Sequence, residues 1–398
     1  MQSTNSPPVT FLIGMWKDDW KLAQERLTAW WRHTGPAISV MAPKDTPWAD
    51  IAPPRYYLPF CQPNAPRPPG LANGAHIVPT PPTHELVWTD PHIRLESALY
   101  AMAHTFYGGE AFPYFDTHLG PCTLAAFAGA TPTFEDDSVW FQPCMTSLND
   151  PPPLRFDADN QWWKKQMAII DHGVAKADGR FFVSVPDMIE NVDILAALRG
   201  TTDGLLDMAL DPAGVLQRVR ELNALYHEAF ARMHALVCDA RGGNCVSVFD
   251  IWAPGKTAKI QCDLAAMLSP AMFNELVRPG LEEQCAHFDF VLFHLDGSQA
   301  MQHLDTLLQM DCIDAIEWTP EPGAPWGGSP QWYGLYHKIL AAGKSVQAVF
   351  VKPDEIEPLF NAVGRAGVFV MTRTTTETAA RRLLDQLGAR PRIGTSHK

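Results

Sequence analysis

The chain of 398 residues lacks four things: a Cys-x-x-Cys pair, a Gly-rich phosphate turn, a cluster of basic residues, and an apolar run of membrane length. Each absence excludes a class. The eight cysteines (61, 122, 144, 238, 245, 262, 285 and 312) are dispersed, so a zinc ribbon or a thioredoxin-type motif is absent. Most lie in apolar runs and read as reduced core residues, with Cys262 the exception, beside Asp263 in a loop-like stretch. Without a glycine fingerprint after the first strand, a dinucleotide-binding fold is disfavoured. The formal net charge of −13 argues against nucleic acid as a main partner, since phosphate binding needs clustered Lys and Arg. A membrane span needs about 20 apolar residues, and none approaches that, so no membrane partner is expected. The first twenty residues, MQSTNSPPVTFLIGMWKDDW, carry no basic region before a short apolar patch and do not read as a secretory signal. Cytoplasmic residence is the resulting expectation.

What is present is an apolar content of 46%, enough for a sizeable core. The length allows one large α/β barrel with additions, or two domains. Proline is dense from Pro43 to Pro91, which predicts little regular structure there. Trp30, Trp31, Trp48, Tyr56, Tyr57 and Phe60 argue against plain disorder. Residues 1–90 therefore read as a helix from about Asp18 to Arg32 and a Pro-rich arm packed on the main domain. Further on, short apolar runs at Phe181–Val185, Cys245–Phe249, Phe290–Phe293, Ile313–Ile316, Val346–Val351 and Val368–Met371 alternate with helical segments. Two of those helices open on Asp211-Pro212 and Ser269-Pro270, a cap followed by proline at the first position. The alternation predicts a parallel sheet, and the choice is an α/β fold, a (β/α)8 TIM barrel over residues 91–390 with the Pro-rich N-terminal extension. Residues 391–398 read as a flexible tail.

Ionisable groups follow the predicted strands: Asp187, Asp250, His294 with Asp296, and Glu317. In barrels of this type the loops after the strands build the active face. His294 and Asp296, two apart on a strand, point to one face. Asp296 and Glu317 end consecutive strands, about 4.8 Å apart if parallel. They can share a metal, or act as an acid and base pair of glycosidase type. The candidate catalytic set is Asp296, Glu317, Asp187 and Asp250, and the candidate metal ligands are His294, Asp296 and Glu317. Trp252, Trp318 and Trp326 follow strand ends, and flat aromatics there suit sugar rings or quaternary ammonium groups. With Arg199, Arg373 and Asp263 they form the candidate substrate-binding set. Each has a bland alternative: Asp as a turn cap, His as a core residue, Trp as packing, Arg as a structural partner.

Three stretches resemble the superfamily of uroporphyrinogen decarboxylases and corrinoid/coenzyme M methyltransferases. They are Asn191–Gly200 with the Asp211-Pro212 helix, Leu268–Pro279 (LSPAMFNELVRP), and His294-Leu295-Asp296-Gly297, placed as the family's His-x-Cys-Gly stretch. Together they cover roughly residues 180–390 and imply a TIM barrel. The methyltransferase branch holds zinc through His-x-Cys and a cysteine after the last strand. Here His294 matches the histidine, Asp296 stands at the first cysteine and Thr372-Arg373-Thr374 near the second. The Arg-rich segment of the decarboxylases has no counterpart in residues 1–60. The expectation is a divergent member that transfers or removes a methyl group on a small polar substrate. It would use a divalent metal in a harder, zinc-like N/O site, or none, with a corrinoid protein as an optional partner. The alternatives are a metal-independent hydrolase built on Asp296 and Glu317, a cofactor-free decarboxylase, and a ligand-binding barrel. The oligomeric state, a homodimer included, stays open.

Overall fold

The computed structural model describes residues 15–68, 83–152 and 154–389. The tail expected at 391–398 and part of the Pro-rich arm lie outside them. Among the described residues there are thirteen strands: β1 (Ala37–Pro43), β2 (Thr105–Gly109), β3 (Tyr114–Phe115), β4 (Thr131–Phe134), β5 (Val139–Gln142), β6 (Phe182–Val183), β7 (Cys245–Val246), β8 (Ile251–Trp252), β9 (Thr257–Gln261), β10 (Phe290–Asp296), β11 (Ala315–Thr319), β12 (Ser345–Ala348) and β13 (Val368–Arg373). Seven form the central sheet, in the order β2-β1-β13-β12-β11-β10-β9. All its pairings are parallel except β1 with β2. β3 and β6 make a separate parallel pair, and β4–β5 and β7–β8 are antiparallel hairpins.

Side-chain alternation gives the sheet two faces. Val291, Phe293 and Leu295 of β10 join the core shared with the helices, whereas Phe290 and Leu292 turn to a second cluster on the opposite face. The helices start where the capping residues dictate. Asp211 accepts from Gly214 N–H at the head of Pro212–Val237, and Ser269 accepts from Met272 N–H. The predicted N-terminal helix is Trp20–Trp31. It closes the second face. Leu27 and Trp30 are fully buried, Trp30 Nε1 donates to the Val346 carbonyl at 3.2 Å, and Trp31 Nε1 donates to the Trp252 carbonyl at 3.0 Å. A buried ring of this size removes roughly 150–250 Å² from water, on the order of 4–6 kcal/mol before entropy is charged against it. Among the described residues no helix is long and apolar enough to cross a membrane.

Three expectations need correction. Among the described residues the hydrogen-bonded sheet is not closed. The outer edge of β9 is covered by side chains instead of a strand: Asn244 exchanges hydrogen bonds with Thr257 N–H and C=O, Glu190 accepts from Gln261 N–H, and Asn191 donates to the Gln261 carbonyl. Buried backbone groups must be paired, and amide and carboxylate side chains pair these. Second, Cys245–Phe249 is not a sheet strand. It is β7 and a short 3-10 turn, paired back on β8, and the sheet strand is Thr257–Gln261. Phe249, Ile251 and Trp252 pack in the second cluster, so this hairpin fills the face that faces away from the helices. Third, the segment read as helix plus irregular arm contributes β1, a strand inside the sheet between β2 and β13.

Candidate functional site

Register places four polar residues in one row across the second face: Gln261, His294, Glu317 and Gln347, on β9 to β12. Neighbouring strands lie about 4.8 Å apart, so these side chains touch. His294 Nδ1 is hydrogen-bonded to Glu317 Oε2, and Glu317 Oε1 accepts from the Thr319 hydroxyl at 2.7 Å. Glu317 is fully buried, and both its oxygens are engaged. A carboxylate on Nδ1 fixes the ring proton there and leaves Nε2 as a free acceptor. Burial alone would lower the His294 pKa, but the charge and hydrogen bond of Glu317 together hold it above its ordinary value.

Asp263, His294 and Asp296 each offer one ligand atom, and these atoms all lie within 4.8 Å of one another. Asp296 ends β10, and Asp263 opens the 3-10 turn after β9. Asp193, buried in the first turn of Asn191–Arg199, positions that turn by accepting from Asp263 N–H at 2.7 Å and Leu264 N–H at 2.9 Å. Burial and the neighbouring Asp263 charge push the Asp193 carboxyl up to about 7. Burial also raises Asp296, and Asp263 adds to the rise while His294 opposes it. Two close carboxylates and an imidazole nitrogen form a hard-to-borderline donor set, which a divalent cation would relieve of its repulsion. Of the ligands expected from sequence, His294 and Asp296 lie together with Asp263, and Glu317 is hydrogen-bonded to His294.

Asp187 lies beside this group. It pairs at 2.7 Å with Lys259, a buried lysine of β9 that is also hydrogen-bonded to Gln261 Oε1. Burial would lower the Lys259 pKa, but Asp187 and Glu190 raise it overall. Lys259 went unnoticed in the sequence, although Thr-Ala-Lys-Ile-Gln has the strict polar–apolar alternation of a half-buried strand.

Asp250 is elsewhere. It is no strand end of the sheet but the turn of the β7–β8 hairpin, at φ +52°. Its carboxylate accepts from Ser39 Oγ at 3.0 Å and from Asn64 Nδ2 at 2.9 Å. Burial pushes its pKa up to about 6, against the hydrogen bonds and the charge of Arg373. It sits with Ser39, Asn64 and Arg373 in the lining of a cavity of about 210 Å³ at the carboxyl ends of β1, β12 and β13. Arg373 Nη2 donates to the Pro63 carbonyl at 3.0 Å. The arm segment around Gln62–Asn64 therefore borders this cavity.

The tryptophans divide. Trp252 is fully buried and donates to Asp239 Oδ2 at 3.0 Å, and Trp318 is fully buried against Trp332 on the helix side of β11. Neither reaches the carboxylate group, so the stacking role expected of them lacks a place. Trp326 is 45% exposed and packs on Phe350, a cavity residue. Arg199 is bound to Asp203 and Asp207, at 2.8 Å each, where the helix Asn191–Arg199 meets the next, and is separate from the site.

No family model and no curated protein matches the chain. Among solved structures, a methyltransferase from Methanosarcina mazei shares the fold, with a TM-score of 0.53, 13% identity, and coverage of 92% of this chain and 97% of that one. At that identity the likeness concerns the fold.

Proposed function

We propose that the chain is an enzyme that transfers a methyl group to or from a small polar substrate, with a divalent cation held by His294, Asp263 and Asp296. The observation that carries the metal is the approach of one ligand atom each from His294, Asp263 and Asp296 to within 4.8 Å of one another, with the imidazole held by Glu317. The fold shared with a methyltransferase supports the reaction class. We read the sheet as a barrel of eight strands, β1, β3, β6 and β9–β13, interrupted on both sides of the β3–β6 pair.

The donor set fits an ion of the zinc or harder class, held by three residues with positions left for substrate. Such an ion would supply Lewis-acid activation of a substrate heteroatom. The chain's own residues do the rest. Glu317 orients the imidazole and keeps its proton on Nδ1. Asp193 fixes Asp263 through two backbone N–H groups. Lys259 and Asp187 place an opposite charge pair next to the centre for a polar substrate group. The hydrolase alternative finds less support, because Glu317 is committed to His294 and Thr319 and does not face Asp296 across an open gap. A corrinoid partner stays an optional feature of the reading.

The test is metal content and activity before and after exhaustive chelation, with His294→Ala and Asp296→Asn alongside. The expected result is about one divalent ion per chain as purified, lost in both variants with the fold retained. Full methyl-transfer activity in metal-free protein, or a metal stoichiometry unchanged by both substitutions, would remove the reading.

A further inference from the structure

The β7–β8 hairpin carries a charged residue that the metal site does not use. Asp250 is 1% exposed, yet it floors a cavity whose rim is open. Its oxygens accept hydrogen bonds from neutral groups, the Ser39 hydroxyl and the Asn64 amide, and the neutral Tyr114 hydroxyl also bears on it. Among the described residues no cation lies within 4 Å of it. Arg373 is close enough to act on its charge but is bound to a backbone carbonyl. A buried carboxylate without a counter-ion is costly, and the remedy is a partner charge.

The walls are apolar: Met41, Met371, Phe350 and Val351. The rim is cationic. Among the described residues Arg373 makes no ion pair, and Lys352 makes only a loose one with Glu355 at 3.4 Å. Two bulky or charged residues of the lining, Asp250 and Phe350, stand at φ +52° and +53°. Non-glycine residues avoid that region, and strain of this kind persists where the surroundings hold a side chain for use. The volume of about 210 Å³ is below that of sites for drug-sized ligands, which start near 300 Å³.

We propose that this cavity binds a compact zwitterion, with its cationic group on Asp250 between the apolar walls and its anionic group at Arg373 on the rim. An acidic floor and a basic rim separated by apolar walls select both ends of such a molecule and its length. Cation against carboxylate supplies the missing counter-charge, and a guanidinium suits a carboxylate geometrically. The site stands whether or not the metal centre does, because none of its residues belongs to that donor set.

The experiment is calorimetric titration of the full chain, as purified and after chelation. The panel is glycine, β-alanine and 4-aminobutyrate with their trimethylammonium counterparts, and tetramethylammonium and acetate as half-ligands. At least one zwitterion is expected to bind ten times or more as tightly as either half-ligand, equally in both preparations. The primary and trimethylated arms tell which ammonium the walls accept. Asp250→Asn and Arg373→Gln are each expected to weaken it tenfold or more. Arg373 is exposed, so the second variant tests the pocket without threatening the fold. No binding by any panel member up to 10-fold above about 1 mM, half-ligands that match the zwitterions, or binding that survives Arg373→Gln would overturn the assignment.

Discussion

Replacing Asp250 by asparagine should make the protein more stable at pH 8 and leave it nearly unchanged at pH 3. The carboxyl is 1% exposed, and its pKa rises from 3.8 to about 6 on folding, with burial the main cause. For an acid whose folded pKa is raised, the unfolded chain loses its proton first. Stability is then fully present below the unfolded pKa and is lost as pH climbs through the folded one. The window is therefore pH 3.8 to about 6. At about 1.36 kcal/mol per unit, the rise removes about 3 kcal/mol from the wild-type protein by pH 8. Asp250→Asn is neutral throughout and escapes that loss. Asn64 can still donate to the remaining oxygen, and the Ser39 hydroxyl can turn to accept from the new amide. Other buried acids, Glu110 and Asp193 among them, titrate in both proteins, so the difference between the two isolates Asp250. The assay is reversible urea unfolding at pH steps from 3 to 8. A difference that grows with pH toward about 3 kcal/mol is expected. A variant destabilised equally at every pH would refute the reasoning, because it would make the carboxylate a structural clamp whose charge is already compensated.

Glu317→Gln should lower metal affinity by about 10- to 100-fold without abolishing it, the range for a partner that orients a ligand; loss of all binding, as for His294→Ala, would make Glu317 a direct ligand. Asp193→Asn should weaken metal binding in the same manner, read by competition with a chromophoric chelator, since it leaves Asp263 in place but loosens the turn that presents it. Asn64→Ala removes donors to Asp250 Oδ1 and the Val248 carbonyl, both at 2.9 Å, and should cost about 1–3 kcal/mol of unfolding free energy with faster amide exchange at Val248–Asp250.

The sequence made β10 legible because the apolar run Phe290–Phe293 ends abruptly at His294, and His294 and Asp296, two apart on a strand, had to share a face. The sequence set Glu317 beside Asp296 on consecutive strands, but the register puts it against His294 and puts Asp296 against Thr319. β9 was hidden by its neighbour. Cys-Val-Ser-Val-Phe is more apolar than Thr-Ala-Lys-Ile-Gln, and a short apolar run reads alike as a sheet strand or a buried hairpin. The true strand is polar on one side because that side lines the interior row, and this is the property that made it look like a loop. Trp318 was placed on the active face although the period of two decides otherwise: with Glu317 turned inward, its neighbour must turn to the helices. That Asp263 lies with His294 and Asp296 while both Glu317 oxygens are taken by His294 and Thr319 depends on side-chain contacts, and spacing carries no information about those. The hydrogen-bonded sheet stops at β9, where the sequence supplies asparagine and glutamate side chains to an edge that a strand would otherwise pair.

The β7–β8 hairpin joins the two regions of the site. Phe249 and Asp250 are consecutive at its turn. The Phe249 ring lies 5.1 Å from the His294 ring, and its carbonyl accepts from Gln347 Nε2 at 2.6 Å, while the Asp250 carboxylate floors the cavity. Gln347 belongs to the same row as His294 and Glu317. A shift of the turn therefore moves the packing of the imidazole and the cavity floor together. Asn64 holds the turn from the arm side, and Gln347 holds it from the sheet. With both anchors in place, a ligand that seats on Asp250 bears on one end of a two-residue segment whose other end touches His294. Communication between the cavity and His294 then needs no longer path than that peptide bond.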